Sequence, residues 1–426
     1  MLNFDAQVYQ NEYLPEGADE VNAIVTVTAQ PRSPGWRGDH RSTAAEIIIV
    51  DCSTSMNYPE TKMQAARQAT AAAIDALRPG VRFAIIGGSH EASVRFPQSG
   101  GLVPATPVTK AAAKRTVARL QAGGGTAIGR WLRLANRLFA AHGDAIRHAI
   151  LLTDGRDESE TPAELASALS SCIGSFTCDC RGVGTDWSVD ELRRVGTALL
   201  GTVDIVASPD ELTADFARMM THAMDKAVAD VALRVWTPQG AEVRFLKQVA
   251  PEMRDLTGTA SPAGAPQTRQ YPTGSWGAES RDYHLCVTVQ PGDLGDEMLA
   301  GRVSVIVDGD VRTKGLVRAI WTDDQARSTR IDEQVAHFTG QAELAQAVQE
   351  GLRARKAGDV VTATARLGRA VALATASGHA DTAKLLQQVV DVDDPVTGTV
   401  RLKPYVDDAD EMALDTRSTK TIRSRR

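Results

Sequence analysis

Apolar residues recur with two different periods along this chain, and the change of period divides it. The stretch Ala23-Ile24-Val25-Thr26-Val27-Thr28 is β-branched and reads as a strand. A connection rich in proline, glycine and charge follows over 31–41. Ile47-Ile48-Ile49-Val50 is then a short continuous apolar run, the mark of a strand buried on both faces. Met63, Ala66, Thr70, Ala73, Ile74 and Leu77 recur at spacings of three and four, which predicts a helix closed by Pro79-Gly80. The alternation continues: a strand at 81–87, helices at 110–120 and 128–139, a third buried strand at 148–153, a strand at 176–183, a helix at 189–200 and a strand at 203–206. Leu212, Phe216, Met219, Met220 and Ala223 mark a closing helix. From 45 to about 226 the expectation is therefore α/β: a doubly wound, mostly parallel sheet covered on both faces.

Beyond 226 the period becomes that of strands. Segments 231–236, 243–245, 283–289, 303–307 and 316–321 are separated by turn residues without a convincing helix between them, which predicts an antiparallel β-sandwich. The Pro/Gly/Ser-rich stretch 257–277 reads as a long loop on it. The strand near Ala23 has no partner before the α/β region begins, so it is expected to join the sandwich, leaving the α/β domain as an insertion. Leu344, Val348 and Leu352 then fall four apart, Gly358-Asp359 gives a stop and a cap, and Leu367, Val371 and Ala374 form the next stripe. Gly378 ends that stripe, and Leu385 and Val389 begin another. Segment 353–374 faintly resembles one tetratricopeptide repeat; a lone repeat cannot bury its own face, so a small helical cap is the reading. The acidic Asp407-Asp408-Ala409-Asp410-Glu411 and the basic, hydroxyl-rich end read as a disordered tail. The expected layout is an N-terminal strand segment at 1–40 that belongs to the sandwich, an α/β domain at 41–227, the sandwich at 228–325, a helical cap at 326–392 and the tail at 393–426.

Length supports this division, since 426 residues exceed what one core usually organises. With 43% hydrophobic residues, 23% charged residues and a net charge of -6, the chain is globular and exerts no general pull on nucleic acid or anionic membranes. No apolar run is long enough for membrane insertion. The start lacks the basic and apolar regions of a secretory signal, which makes cytoplasmic residence the expectation. The cysteine count of 5 is odd and sparse, fitting reduced thiols better than a disulfide framework.

The candidate chemistry stands at the C-terminal end of the first buried strand, the edge where open parallel sheets bind ligands. Asp51-Cys52-Ser53-Thr54-Ser55 offers one carboxylate and two hydroxyls, hard oxygens that suit Mg²⁺, Mn²⁺ or Ca²⁺. Alternate residues on an extended turn point the same way, so Asp51, Ser53 and Ser55 can converge. Gly123-Gly124-Gly125-Thr126 presents a further hydroxyl before a helix, and Thr153-Asp154-Gly155 ends the third buried strand with a second carboxylate at the same edge.

In this order, Asp51-x-Ser53-x-Ser55, Thr126 and Asp154 resemble the metal-ion-dependent adhesion site of the von Willebrand factor A family, with every motif position filled. The resemblance covers 45 to about 226. It implies that Ser53 and Ser55 bind a divalent cation directly, Mg²⁺ foremost with Mn²⁺ or Ca²⁺ also admissible. It implies that Thr126 binds directly or through water, and that Asp51 and Asp154 act through water or hold the hydroxyls. Few direct charged ligands would leave the ion electron-poor with one position open for an Asp or Glu of a partner protein. Arg156, just beyond Asp154, is a hypothetical steering group for that carboxylate.

Plainer and rival readings stand beside this one. The five residues could be ordinary polar caps of strand ends, or a metal site that only stabilises the loops. Asp51 could be the nucleophile of a metal-dependent phosphatase, but Ser53 stands where such sites place a second acid, and no lysine is near in sequence. Gly87-Gly88-Ser89-His90 breaks the nucleophile-elbow pattern, and Gly123-Gly124-Gly125 lacks the lysine of a phosphate loop. Cys178 and Cys180 share one strand face roughly 6.7 Å apart, too far for easy bridging, and with Cys172 they offer too few ligands for zinc. Thr416, Thr419 and Thr421 in the tail are candidate substrates of a Ser/Thr kinase and docking points for a phosphothreonine-binding protein. The favoured function is thus a non-enzymatic, metal-dependent protein-binding module, a possible scaffold in kinase signalling. The alternative is an accessory subunit of an ATP-driven or kinase-regulated machine, and the phosphatase is more remote.

Overall fold

The computed structural model describes residues 2–31, 43–206 and 209–423. The chain forms two compact units, one built chiefly from Pro31–Asp230 and the other joining Asn3–Gln30 to Val231–Thr273 and Glu279–Arg426. The N-terminal segment contributes strands β1 (Leu2–Gln10), β2 (Tyr13–Pro15) and β3 (Glu20–Pro31). The first unit then runs β4 (Ala44–Asp51), α1 (Thr61–Ala76), β5 (Arg82–Gly88), β6 (Ala92–Phe96), β7 (Val103–Pro104), α2 (Pro107–Val117), α3 (Ile128–Phe139), β8 (Ile146–Thr153), α4 (Pro162–Cys172), β9 (Thr177–Val183), α5 (Val189–Ala198), β10 (Val203–Val206) and α6 (Pro209–Met224).

Its 7-stranded sheet has the order β10-β9-β8-β4-β5-β6, with β7 beside β5. The strands from β10 to β5 are parallel, as the continuous apolar runs predict, while the short β6 and β7 run antiparallel at one edge. On one face α1 and α6 close the core: Ala66, Ala69, Ala73, Phe216 and Met220 are fully buried in one cluster with Ile48, Val50 and Ile85. The alanines on α1 are small enough to let the two helices approach closely. Thr106 and Thr161 start α2 and α4 as capping boxes with Pro at the first helical position, so these two boundaries are written in the local sequence.

A buried charged network links β4, β8 and β9. His148 Nδ1 lies 2.9 Å from Glu46 Oε1, and its Nε2 lies 3.0 Å from Asp179 Oδ2. Burial pushes the imidazole pKa down, but the two carboxylates outweigh it and raise it from 6.5 to about 10. Because folding raises this pKa, the stability it contributes is whole below pH 6.5 and drains as pH rises toward 10. Denaturant unfolding across that window is expected to show stability falling by up to about 1.4 kcal/mol per pH unit. His148→Gln should be less stable at pH 7 and should flatten the slope; an unchanged slope would refute the assignment.

The second unit holds β11 (Val228–Trp236), β12 (Glu242–Ala250), β13 (Arg254–Asp255), β14 (Ser261–Ala263), β15 (Ala265–Trp276), β16 (Ser280–Thr288), β17 (Glu297–Val307) and β18 (Asp310–Thr322). They form a 5-stranded sheet, β1-β3-β16-β12-β13, and a 6-stranded sheet, β14-β15-β11-β17-β18-β2. β3 pairs antiparallel with β16 from Glu20 opposite Thr288 to Thr28 opposite Ser280, so residues on either side of the α/β region share one sheet. The stretch 257–277, expected as a loop, is instead largely β14 and β15. Its buried positions are Thr268, Tyr271, Thr273, Ser275 and the terminal Trp276, so small polar groups hold most of them and no run of alternating aliphatic residues reveals the strand.

Helices α7 (Gln325–Ser328), α8 (Glu333–Lys356), α9 (Val360–Ser377) and α10 (Ala380–Val389) follow, then a hairpin of β19 (Val390–Asp394) and β20 (Thr399–Leu402), then α11 (Asp408–Arg417). Val335 and Phe338 of α8 pack on Ile24, Val249 and Ala250 of the 5-stranded sheet. Over residues 393–423 the tail is ordered, contrary to the expectation of disorder. Asp407 caps α11 by accepting from Ala409 N at 2.8 Å, and Asp408, Asp410 and Glu411 occupy its first turn, where the helix dipole favours negative charge. The acidic run is thus a helix start, and it places Met412, Ala413 and Leu414 in the core. No helix among the described residues is long and apolar enough to cross a membrane.

Candidate metal centre

Three loops meet at the C-terminal edge of the parallel sheet. The first leaves β4 at Asp51, continues as a single 3-10 turn at Thr54–Asn57 and enters α1. The second carries Gly123 to Thr126 into α3, and the third leaves β8 at Thr153. Cys52 and Thr54 bind the glycine loop directly: Gly123 N donates to Cys52 O at 2.7 Å, and Thr54 N donates to Gly124 O at 2.9 Å. Ser159 N donates to Thr126 O at 2.8 Å, tying the third loop to the second. Ala127, the residue before α3, has no side-chain group to cap it. Asp157 and Glu160 supply the cap instead, accepting from Ile128 N and Gly129 N. Burial, with Glu160 alongside, raises the Asp157 carboxyl to about 8.

Asp51 is fully buried and committed within the fold. Its Oδ1 accepts from Ser53 N at 2.7 Å and its Oδ2 from the Thr153 hydroxyl at 2.6 Å. Burial raises its carboxyl to about 6, against the pull of those hydrogen bonds. The Ser53 and Ser55 hydroxyls are 2.9 Å apart, and Ser55 Oγ donates to Asp154 Oδ1 at 2.7 Å. Gly155 marks the point they surround. A Cβ there would stand 3.1 Å from Thr126 Oγ1, 3.3 Å from Ser55 Oγ and 4.0 Å from Ser53 Oγ. The structure thus brings together Asp51, Ser53, Ser55, Thr126 and Asp154, and the absent side chain at Gly155 leaves space among three hydroxyls. Hydroxyls backed by two carboxylates are a donor set that fits a hard divalent cation. Arg156 is exposed beside them.

One partner of this cluster was missed in the sequence. Lys62, in the first turn of α1, places its Nζ 2.8 Å from Asp154 Oδ2 and 3.1 Å from Asp186 Oδ2. No lysine is near Asp51 in sequence, but α1 brings Lys62 onto the second site carboxylate, Asp154. Burial lowers its pKa, but the two aspartates outweigh that and hold it above the usual range. A cation in the first turn of a helix opposes the dipole, which was the available hint that Lys62 has an acidic partner.

The tail threonines are placed elsewhere and do not stand on a free end. Thr416 is 3% exposed, and Thr421 Oγ1 is buried without a hydrogen bond. Thr419 donates to Glu252 Oε1 at 3.3 Å, and its carbonyl accepts from Met253 N at 2.8 Å. Packing of α11 therefore buries Thr416, correcting the expectation of an exposed site there, while Thr419 and Thr421 are half-buried. All five cysteines are buried and unbridged.

The profile of the von Willebrand factor type A domain matches residues 45–205, and that of the von Willebrand factor type A C-terminal domain matches 372–418. The latter spans the end of α9, α10, the hairpin and all of α11. A solved structure, von Willebrand factor type A from Catenulispora acidiphila, is 52% identical with a TM-score of 0.94, covering 99% of this chain and 97% of that one. The ArnB paralog VWA2 from Sulfolobus acidocaldarius shares the fold at 12% identity, with a TM-score of 0.57 and 98% of each chain covered. An uncharacterized protein of Synechocystis is 26% identical over 228 residues, 51% of each chain, so this chain spans about half the length of that curated relative. Domains of this kind generally mediate protein–protein interaction. On the strength of near-complete coverage at 52% identity, the chain belongs to the von Willebrand factor type A family.

Proposed function

We propose that the α/β domain holds a divalent cation, Mg²⁺ foremost, and uses it to grip a carboxylate of a partner protein without catalysing a reaction. The observation that carries this reading is the ring of Ser53, Ser55 and Thr126 hydroxyls around the open side of Gly155. Those three would hold the ion. A bound cation supplies a Lewis-acidic position that an Asp or Glu can occupy. Asp51 orients the Ser53 backbone, and Asp154 accepts from Ser55, so both carboxylates fix the hydroxyls while adding negative charge behind them. Arg156 is free to meet an approaching carboxylate. Asp51 makes a poor nucleophile, because both its oxygens are engaged and it is 0% exposed. A kinase-linked role through Thr416 finds no support in its burial.

Isothermal titration with Mg²⁺, Mn²⁺ and Ca²⁺ tests the ion, and an affinity pull-down in Mg²⁺ against EDTA tests the grip. Wild type is expected to take up one ion per chain, and Ser53→Ala to lose about tenfold or more in affinity. Partners should leave the resin in EDTA. Identical uptake by Ser53→Ala, or identical partners in both buffers, would end the proposal.

A further inference from the structure

A groove of about 960 Å³ runs between β6 and α2 and ends at Gly123, the first residue of the loop that carries Thr126. Arg95, Arg115 and Arg119 line it, and no Asp or Glu does. Phe96 and Leu120 supply apolar floor between the guanidinium groups. All three arginines are exposed, in a chain whose net charge is -6. Arg95 lies across Gly87, where a Cβ would stand 2.9 Å from its Cγ, so the glycine on β5 makes room for this arginine along the sheet edge. β6 is the last strand on that side of the sheet, with none beyond it among the described residues. The groove joins the metal loops through Gly123 N, which donates to Cys52 O.

We propose that this groove binds an extended acidic segment of the partner protein, leading to the carboxylate gripped at the Ser53, Ser55 and Thr126 site. The inference rests on the partner-binding reading above and names the partner's chemistry. A strip of positive charge without local counter-charges attracts carboxylates, and its apolar floor takes the alternate side chains of an extended chain. Nucleic acid fits less well. No exposed aromatic lines the groove for base stacking, and a long polyanion would run onto the surface of an acidic protein.

Fluorescence anisotropy on the full chain decides it, with a labelled peptide of alternating Glu and Val, its Gln–Val counterpart, and single-stranded poly(U) RNA. The Glu–Val peptide should bind, the Gln–Val peptide should not, and Arg115→Ala/Arg119→Ala should weaken binding by about tenfold or more. Arg115 is exposed on α2 and Arg119 in the turn that follows it, and circular dichroism checks that the fold is kept. Absence of Glu–Val binding overturns the proposal, as does poly(U) binding more tightly than the peptide. Binding lost in EDTA but intact in the arginine variant overturns the groove and leaves the metal site standing. Binding lost in the arginine variant yet unchanged by EDTA supports the groove and removes the metal from the grip.

Discussion

Lys62→Met is expected to bind divalent cations about tenfold or more tightly than wild type, while losing about 3 kcal/mol of stability in EDTA. The ammonium sits on Asp154 Oδ2 with side-chain exposures of 8% and 0%, so little water screens the pair. It acts as a tethered counter-cation, offsetting the negative charge that the two site carboxylates would otherwise present to an incoming ion. Removing it leaves Asp154 buried with its Ser55 hydrogen bond but without an opposite charge, and breaking a buried pair on one side is strongly destabilising. A divalent cation supplies the missing charge, so Mg²⁺ should restore much of the loss. Methionine keeps the length of the stem and its packing in α1, which separates charge from volume. The measurement is calorimetric affinity together with guanidinium unfolding, each with and without Mg²⁺. Unchanged affinity would show that Lys62 is only a structural brace for Asp154.

The second large effect is at the other end of the chain. Leu414→Ala is expected to destabilise the C-terminal helical region by about 2 to 5 kcal/mol, the range for deleting a buried leucine side chain. Leu414 is 0% exposed in a cluster with Leu344, Val348, Leu367, Leu386 and Val400, drawn from α8, α9, α10 and β20. Those elements cover the helical pair that cannot bury its own face, and α11 closes the cluster. Thr416 lies two residues further on, so a phosphate there requires α11 to leave the core. Denaturant unfolding of the variant, followed by far-ultraviolet circular dichroism, reads the effect. Stability equal to wild type would mean that α11 contributes nothing to that core, and the tail would again be open to a kinase.

The residues of the sequence carry the α/β unit and its site unevenly. Ile47 to Val50 reads as a doubly buried strand, because the run is short and β-branched and has no solvent face to offer. The spacing of Asp51, Ser53 and Ser55 is local geometry, and the glycine loop and Asp154 sit at sheet edges that the strand pattern already locates. Lys62 is different. Its contact with Asp154 depends on how α1 packs across the sheet against the loop after β8, a relation between segments 92 residues apart in sequence. The arginine groove is likewise assembled from β6 and α2, which no short-range pattern brings together.

Local composition misled in two places for physical reasons. Segment 257–277 holds strands whose buried side chains are threonine, serine and tyrosine until Trp276 at the end, so burial there leaves no repeating apolar period. The acidic run 407–411 carries two meanings at once. As composition it signals a solvated tail, and as position it signals a helix N-terminus whose dipole those charges satisfy. Which meaning holds depends on whether an apolar surface waits for Met412 and Leu414. The sequence by itself determined the alternating elements, the parallel sheet and the oxygen-bearing loops at its edge, because these follow from periodicity and from neighbours along the chain. Tertiary structure alone decided the counter-cation on Asp154, the guanidinium-lined groove and the docking of α11, because each needs surfaces from distant segments to meet.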